Sequence, residues 1–197
     1  AEAYTFPVPY EFYEKYQVRK YGFHGTSHRF VSARCAEVMG KNIEDLKIVT
    51  CHLGNGSSIS AVKGGKVIDT TMGLTPLDGL IMGTRCGAVD PSAILFIMEK
   101  ENLSVKEMDT LLNKKSGILG ISGLSSDDRD VKYEAAKNEQ GLAERCTLAR
   151  NILAYQIKRY IGAYAAAMDG IDAIVFTGGI GENADDIRAK VCNELTF

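Results

Sequence analysis

Three glycine-rich segments are the features of this sequence that most restrict how the chain can fold. Two of them directly follow apolar runs. They cover residues 21–28, 51–58 and 176–183. Glycine lacks a Cβ and adopts positive φ readily, so the backbone can approach a bound group closely. The other residues of these segments are mainly Asn, Ser, Thr and His, which donate hydrogen bonds without adding negative charge. Each segment could be an ordinary turn, but three in one chain indicate phosphate binding.

Short apolar runs around the second segment predict a small sheet. Residues 46–52 are predicted as a buried strand, and residues 57–62 and 66–71 as two further strands. Gly64-Gly65 between the last two strands indicates a hairpin, because primed turns require positive φ. The second glycine-rich segment therefore lies in the turn between the first two strands.

Helices are predicted on both sides of these strands along the chain. Ser27 can cap a first helix. The apolar residues of that helix are expected to form its buried face: Phe30, Val31, Cys35, Val38 and Met39. Pro91 begins a second helix and a capping box over residues 104–107 begins a third. Apolar periodicity predicts a long helix over residues 142–168.

The last part of the chain predicts a strand, a glycine loop and a helix. The strand covers residues 171–177, and the helix runs from Asn183 or Ala184 to Leu195. Strands followed by helices and then by this unit indicate a mixed α/β domain. The chain stops where such a unit would normally return with another strand, so we expect the sequence to break off inside its own domain.

Net charge and cysteine usage exclude several classes of function. The formal net charge of −2 argues against nucleic-acid binding through a broad basic surface. No apolar run approaches the roughly 20 residues that span a bilayer, and no signal peptide is visible. The five cysteines are scattered without a Cys-x-x-Cys pair. They fit reduced thiols in the cytoplasm better than a disulfide framework or a metal site.

Two of the glycine-rich segments are candidate phosphate sites. Residues 178–181 follow a strand and precede a helix, as nucleotide-binding loops commonly do. They match neither the P-loop nor a complete Gly-x-Gly-x-x-Gly pattern, so a tight strand-to-helix turn is the alternative. Residues 52–56 place an imidazole, an amide and two glycines in a hairpin turn. A hairpin alone explains Asn55-Gly56, but it does not explain His52 together with Ser57-Ser58.

His24 and Arg85 are candidates for contact with a phosphoryl group. His24 and His28 are four residues apart, but the zinc-binding helix motif needs Glu after its first His, where this chain has Gly25. A histidine satisfied within a turn is the alternative for His24. Arg85 lies between glycines just before a predicted helix, and its planar guanidinium suits charge spread over phosphoryl oxygens. The polar loop over residues 125–130 is, by itself, typical of a solvated turn and helix cap.

Five ordered motifs resemble the acetate kinase family, the acetate and propionate kinases within the superfamily of sugar kinases, heat-shock proteins and actin. The resemblance covers nearly the whole chain. The motifs are Phe23-His-Gly-Thr-Ser-His28, His52-Leu-Gly-Asn-Gly-Ser-Ser58, Met72-Gly-Leu-Thr-Pro-Leu77, Gly83-Thr-Arg85 and Gly178-Gly-Ile-Gly-Glu-Asn183. The resemblance implies an actin-like (ribonuclease H-like) ATPase domain, a mixed sheet with flanking helices, truncated at both ends. Residues 1–22 would then be an irregular link and residues 23–197 the nucleotide-binding domain.

The resemblance also implies a reaction and a set of site residues. The reaction is reversible transfer of the ATP γ-phosphoryl group to acetate with Mg²⁺, giving acetyl phosphate and ADP, in a cytoplasmic homodimer. His24 and Arg85 would be catalytic, and no residue is assigned as a metal ligand. The nucleotide-binding residues implied are His52, Leu53, Gly54, Asn55, Gly56, Asp127, Asp128, Arg129, Gly179, Ile180, Gly181, Glu182 and Asn183.

The chain lacks one part of the family's pattern. The family's N-terminal phosphate segment, with an arginine and an aspartate that complete the phosphoryl site, is absent from this chain. We therefore expect the chain by itself to have no turnover. The alternatives are a propionate kinase, because both activities share these motifs, and a non-catalytic actin-like nucleotide-binding module. His24 together with Arg85 favours the kinase, because an assembly module has little use for both.

Overall fold

A four-stranded mixed sheet forms the centre of the protein, whose computed structural model describes residues 1–196. The strands are β1 (Lys47–Leu53), β2 (Ser57–Lys63), β3 (Lys66–Thr70) and β4 (Ala173–Thr177). Their order is β3-β2-β1-β4. β1 is antiparallel to β2 and parallel to β4, and β2 is antiparallel to β3. The hairpin glycines Gly64 and Gly65 both have positive φ, as predicted.

Helices flank this sheet, and three of them, those that begin at Pro91, Val105 and Leu142, begin where the sequence predicts. They are α1 (Glu11–Tyr16), α2 (Gly25–Met39), α3 (Pro91–Glu101), α4 (Val105–Lys114), α5 (Gly117–Ser122), α6 (Asp128–Ala135), α7 (Leu142–Met168), α8 (Gly178–Asn183) and α9 (Asp185–Cys192). Asp90 caps α3 by accepting from the backbone N–H of Ser92, and the capping box of Ser104 and Glu107 is complete. The prediction of a mixed sheet with flanking helices is confirmed.

Alternation along β1 separates the hydrophobic core from a polar face. Val49, Cys51 and Leu53 are fully buried in the main core, which includes residues of α7. The intervening residues Thr50 and His52 hydrogen-bond to side chains of α2. Successive side chains of a strand point to opposite faces. The same strand therefore supplies apolar residues to the core and polar residues to the space beneath α2.

The prediction for α2 was wrong at its start and for part of its buried face, although the predicted Cys35 and Met39 do pack against the core. The helix begins at Gly25, so Ser27 lies inside it, and His24 is the residue that precedes the first turn. The buried residues of α2 are His28, Ser32 and Ala36, whereas the predicted Phe30 and Val38 are 68% and 72% exposed. The sheet face beneath α2 is partly polar, so small and polar side chains of the helix pack against it.

The third glycine-rich segment is helical, which corrects the prediction of a loop. Residues 178–183 form α8 immediately after β4, and a separate helix, α9, ends at Cys192 rather than Leu195. Gly178 has a φ of 79°, and a Cβ there would lie 2.6 Å from the carbonyl oxygen of Leu53. Only glycine fits this turn, which brings the chain from β4 directly into a helix against the end of β1.

The first 22 residues are more ordered than the irregular link that was expected. They contain α1 and an isolated bridge between Thr5 and Arg19. The backbone N–H of Tyr21 donates to the carbonyl of Gly73, so this segment contacts the rest of the domain. Its role as a link to a further domain stays a prediction. Among residues 1–196, no helix is both long enough and apolar enough to cross a bilayer.

Candidate functional site

A cavity of about 670 Å³ opens at the carboxyl ends of β1 and β4. The two strands are parallel, so the turn after β1 and the helix after β4 lie at the same edge of the sheet. Ligands of open α/β sheets bind at this edge. The residues that line the cavity come from the turn after β1, from α6, from α8 and from its end: Gly54, Asn55, Asp127, Asp128, Arg129, Lys132, Gly179, Ile180, Asn183 and Ala184.

The start of α6 places an arginine on the rim of this cavity. Asp127 caps the helix by accepting from the backbone N–H of Arg129 at 2.9 Å, and it also accepts from the Arg129 side chain at 2.6 Å. These hydrogen bonds from Arg129 lower the pKa of the Asp127 carboxyl to about 2. The Arg129 side chain is 89% exposed. Exposed ion pairs are weak, so Arg129 can leave Asp127 and contact a ligand at little cost in free energy.

Asp128 makes a different contact, because its carboxylate faces inward. Arg150 of α7 donates to both carboxylate oxygens of Asp128, at 2.9 Å and 3.2 Å, and also to Asp186 of α9. The hydrogen bonds from Arg150, followed by those from Lys132, lower the pKa of Asp186. The carboxylate of Asp128 is therefore occupied by a structural ion pair. Its predicted contact with a nucleotide stays a prediction, and the ion pair argues against a direct hydrogen bond from this side chain.

Three histidines form a cluster on the polar face of the sheet. The ring of His24 stacks on that of His52, with centroids 4.2 Å apart. Nδ1 of His24 lies 2.8 Å from Oγ of Ser58, and Nδ1 of His52 lies 2.9 Å from Oγ of Ser27. His24 precedes α2 with a φ of 60°. This left-handed conformation is uncommon for a residue other than glycine, and in folded proteins such strain is concentrated at functional sites.

The pKa values of all three imidazoles are lowered. Burial is the largest cause at each ring. The positive charges of His52 and Arg85 lower the pKa of His24 further. His28 is almost completely buried, and its pKa falls to about 4. Near pH 7 the cluster is therefore mainly neutral, and a bound anion would raise the pKa values of the half-buried His24 and His52 again.

Arg85 lies in a long loop that is fixed by backbone hydrogen bonds. The N–H groups of Ile118 and Leu119, at the start of α5, donate to the carbonyls of Met82 and Gly83 at 2.8 Å and 2.9 Å. The carbonyl of Arg85 accepts from the N–H of Met82. The Arg85 side chain also donates from Nη1 to the carbonyl of Pro76 at 3.1 Å, so the fold fixes the position of its guanidinium.

The side chains of Arg85 and His24 both lie next to Gly56. A Cβ at Gly56 would lie 3.4 Å from Nη1 of Arg85 and 3.5 Å from Nε2 of His24. The absence of a side chain therefore leaves a space that faces a guanidinium and an imidazole. The neighbouring Gly54 and Asn55 line the cavity. The three-residue turn thus joins the cavity on one side to Arg85 and His24 on the other.

The predicted site residues fall into three groups. Gly54, Asn55, Asp127, Asp128, Arg129, Gly179, Ile180 and Asn183 line the cavity, whereas His24, His52, Gly56 and Arg85 lie in the histidine cluster or beside it. The side chain of Leu53 is fully buried in the core, so only its backbone could contact a ligand, and its place in the site stays a prediction. Gly181 is buried, and Glu182 bonds to Thr177, so neither lines the cavity.

Several residues of the site were not predicted. Lys132 and Ala184 line the cavity. Lys132 is three residues after Arg129 on α6, so a helix prediction there would have placed both on one face. Thr50 and Ser58 hydrogen-bond to the histidines. Ser58 lies opposite His52 in the β1–β2 pairing, and Thr50 is two residues before His52 on the same face of β1, so the strand alternation contained this signal.

No group of three or more His, Cys, Asp or Glu side chains within residues 1–196 is arranged to hold a metal ion. The three histidines hydrogen-bond instead to hydroxyl groups of the protein. The donor set therefore does not fit an all-protein magnesium site, since Mg²⁺ requires oxygen ligands in octahedral geometry.

Comparisons with known proteins identify relatives of similar sequence. An acetate kinase from Halothermothrix orenii is 58% identical over 196 residues, which are 100% of this chain and 48% of that protein. An acetate kinase from Desulforamulus reducens is 62% identical over 195 residues, which are 99% of this chain and 48% of that protein. The chain thus spans about half the length of the curated relatives it matches.

Solved structures show the same fold. The crystal structure of Porphyromonas gingivalis acetate kinase matches with a TM-score of 0.94 and 51% identity, over 98% of this chain and 48% of that one. A propionate kinase from Francisella tularensis matches with a TM-score of 0.91 and 44% identity, over 98% of this chain and 49% of that one. The sequence profile of the acetokinase family matches residues 1–197, and the chain therefore belongs to that family.

Proposed function

We propose that this chain carries the nucleotide-binding and phosphoryl-binding part of an acetate kinase. The enzyme would transfer the γ-phosphoryl group of ATP to a carboxylate oxygen of acetate, giving acetyl phosphate and ADP, and would run in both directions. One observation carries the proposal: the turn over residues 54–56 joins the cavity to the space that faces His24 and Arg85. A nucleotide in the cavity could thus direct its terminal phosphate toward both His24 and Arg85.

The cavity has the size and the polar groups that a nucleotide needs. Its volume of about 670 Å³ is within the usual range of small-molecule sites, roughly 300–1,000 Å³. Arg129 and Lys132 supply positive charge on its α6 side, while Gly54 and Gly179 allow close approach of the backbone. These features support binding of the phosphates and ribose between the turn and the two helices α6 and α8.

The geometry around Gly56 supports transfer of a phosphoryl group rather than simple nucleotide binding. Charge in the transition state is spread over three equatorial oxygens, and a fixed arginine is suited to stabilise it. Arg85 is held by its loop, and His24 lies beside the same space. Both groups would donate to the phosphoryl oxygens while acetate approaches from the side opposite the nucleotide.

Magnesium would enter this site as part of the nucleotide substrate. The described side chains do not form a magnesium site of their own, and Mg²⁺ in kinases is held largely by substrate phosphates and water. When bound, it would neutralise charge on the phosphates. The side chains of this chain would bind the nucleotide, and the fold would hold His24 and Arg85 in place beside its terminal phosphate.

The cellular setting is also a proposal. We propose a cytoplasmic location. The five cysteines, which are unpaired in the described structure, support this proposal. Cytosolic proteins keep such thiols reduced. A homodimer is proposed from the family resemblance, and sedimentation velocity would test it.

A propionate kinase is the second candidate, because the structure of one matches with a TM-score of 0.91. The two activities differ by one methylene on the acyl group, which a pocket distinguishes by only ~1–3 kcal/mol. Relative rates with the two carboxylates would decide between them. The acetate kinase names of the curated relatives favour acetate.

Calorimetric titration with MgADP tests the proposal on this chain. We expect saturable binding that weakens about tenfold or more in Arg129→Ala, corresponding to ~1.4 kcal/mol or more. Arg34→Ala is the matched control, because Arg34 is also an exposed arginine paired with a nearby carboxylate, but it lies on α2. Equal binding by wild type and Arg129→Ala would show that Arg129 does not contribute to nucleotide binding. No binding by the folded chain would contradict the proposed nucleotide site.

Acetyl phosphate formation is the second readout. We expect no turnover by this chain alone, because it spans about half the length of the curated relatives that it matches. The hydroxamate assay with MgATP and acetate measures this directly. Robust activity of the purified chain would support the kinase and would show that residues 1–197 suffice for it.

A further inference from the structure

A line of buried polar side chains connects the sheet to His24. Thr50, His28 and Ser58 are each almost completely buried, and none of them lines the cavity. Oγ1 of Thr50 lies 2.8 Å from Nδ1 of His28, and Nε2 of His28 lies 2.7 Å from Oγ of Ser58. Oγ of Ser58 also lies 2.8 Å from Nδ1 of His24. Buried polar groups at such distances are hydrogen-bonded, so the position of each proton depends on its neighbour.

The direction of these hydrogen bonds follows from the carbonyl group at one end of the line. The hydroxyl of Thr50 donates to the carbonyl of Ser60 at 3.4 Å, and a carbonyl can only accept. With the single hydroxyl proton of Thr50 used in this bond, Oγ1 accepts from Nδ1–H of His28. A neutral histidine has one N–H, which leaves Nε2 of His28 as an acceptor.

The same reasoning continues through Ser58 to His24. Because Nε2 of His28 is an acceptor, the hydroxyl of Ser58 donates to it. Oγ of Ser58 is then free only to accept, and it accepts from Nδ1–H of His24. Each ring proton is thus assigned from its hydrogen-bond partner, as in any structure without visible hydrogens.

We propose that Thr50, His28 and Ser58 are positioning residues that fix His24 in its Nδ1–H tautomer. Nε2, the nitrogen beside the Gly56 space, then carries a lone pair in the neutral ring. His24 can donate from Nε2 to a phosphoryl oxygen only after that nitrogen takes up one proton from solvent. The relevance of this step to catalysis rests on the proposed function.

The surroundings of His24 fit a ring that is neutral until an anion arrives. His52 stacks on it, the ring of His28 lies with its centroid 6.4 Å away, and Arg85 faces the same space from its loop. Burial together with His52 and Arg85 lowers the pKa of His24. A phosphoryl oxygen at Nε2 would favour the cation. The bond from Nδ1–H to Ser58 is unchanged by that protonation, so the ring does not need to reorient.

Imidazole ¹⁵N spectra of the ligand-free chain test the proposal directly. The sequence contains only three histidines, so three single variants, His24→Gln, His28→Gln and His52→Gln, assign every ring nitrogen. At pH 7.5 we expect His24 and His28 to have the shifts of Nδ1–H tautomers. An Nε2–H tautomer at His24 would overturn the proposal.

Removal of the Thr50 hydroxyl is the sharper test, because Thr50 does not contact His24. In Thr50→Val, His28 loses the acceptor of its Nδ1–H, so its proton should move to Nε2 and donate to Ser58. Ser58 would then donate to Nδ1 of His24, and His24 should change to the Nε2–H tautomer. Thr70→Val, which removes a hydroxyl from β3, should leave His24 as it is. Thr50→Ser keeps the hydroxyl and should also leave the tautomer of His24 unchanged.

An unchanged His24 tautomer in Thr50→Val, with a native amide spectrum, would overturn the relay. If that variant does not fold, the wild-type spectra still decide the tautomer. All of these spectra are recorded without ligand. The tautomer proposal can therefore fail while MgADP binding succeeds, and the failure of MgADP binding would leave the tautomers unaffected.

Discussion

Replacement of Arg150 by methionine should destabilise the protein more than any loss of an exposed charge. Arg150 joins three helices, because it lies on α7 and pairs with Asp128 of α6 and Asp186 of α9. Methionine preserves much of the apolar stem but removes the guanidinium. Asp128 would then keep its negative charge at a position without a partner.

The magnitude follows from the burial of the partners. The side chains of Arg150 and Asp128 are 10% and 9% exposed, and removal of one member of a buried pair costs ~3–5 kcal/mol. Asp186 is 42% exposed, so water replaces its lost partner and this pair adds less than about 1 kcal/mol. We therefore expect a total loss of ~3–5 kcal/mol, a large part of the ~5–15 kcal/mol typical of a domain.

Urea unfolding at pH 7, followed by circular dichroism, measures this loss. Arg129→Ala is the control, because its pair with Asp127 is largely exposed and should therefore add little to the stability. The double variant Arg150→Met with Asp128→Asn should recover at least ~1 kcal/mol, since it removes the unpaired buried charge. A cost below about 1 kcal/mol for Arg150→Met, or no recovery in the double variant, would refute the reasoning.

Three further predictions concern stability. The pKa of His28 is about 4 in the folded protein, below the usual ~6.5. The unfolded chain therefore binds the extra proton first, and stability falls as the pH drops from about 6.5 to about 4. The wild type should lose ~3 kcal/mol more over this range than His28→Gln, and parallel urea curves would contradict this. Gly178→Ala should cost ~2 kcal/mol or more, since its φ is positive and its Cβ would meet the carbonyl of Leu53. Gly179→Ala, where nothing lies within 4 Å, should be nearly neutral in the same thermal melts. Ser104→Ala should lower stability by about 1 kcal/mol through loss of the N-cap, and an unchanged melting temperature would count against the capping box.

The sheet and the long helices could be predicted from the sequence because their signals are local. The alternation of apolar and polar residues in a strand, a double-glycine turn and a capping box each depend on residues that are close in the sequence. The structure contains all three. The buried face of α2 could not be predicted in the same way. Apolar periodicity assumes that the largest apolar side chains face the core, whereas the sheet beneath α2 presents Thr50 and His52.

The candidate site was only partly predictable for a related reason. Glycine-rich segments indicated which stretches lie near a ligand, and eight of the predicted residues do line one cavity. The sequence could not show that Asp128 turns inward to Arg150, because these residues are 22 positions apart. Nor could it show that the turn at residues 54–56 divides its neighbours between the cavity and the histidine cluster, since that depends on how the Arg85 loop folds over it.

The backbone of His24 sets a limit on how this protein can evolve. An L-residue in the left-handed region costs ~1–2 kcal/mol, and glycine or asparagine would adopt the observed φ of 60° with less strain. Selection for heat resistance alone would therefore favour replacement of the histidine at this position. If His24 has the role proposed above, selection for phosphoryl transfer would retain it. Lineages that adapt to higher temperature must consequently gain stability elsewhere, while position 24 keeps its unfavourable conformation.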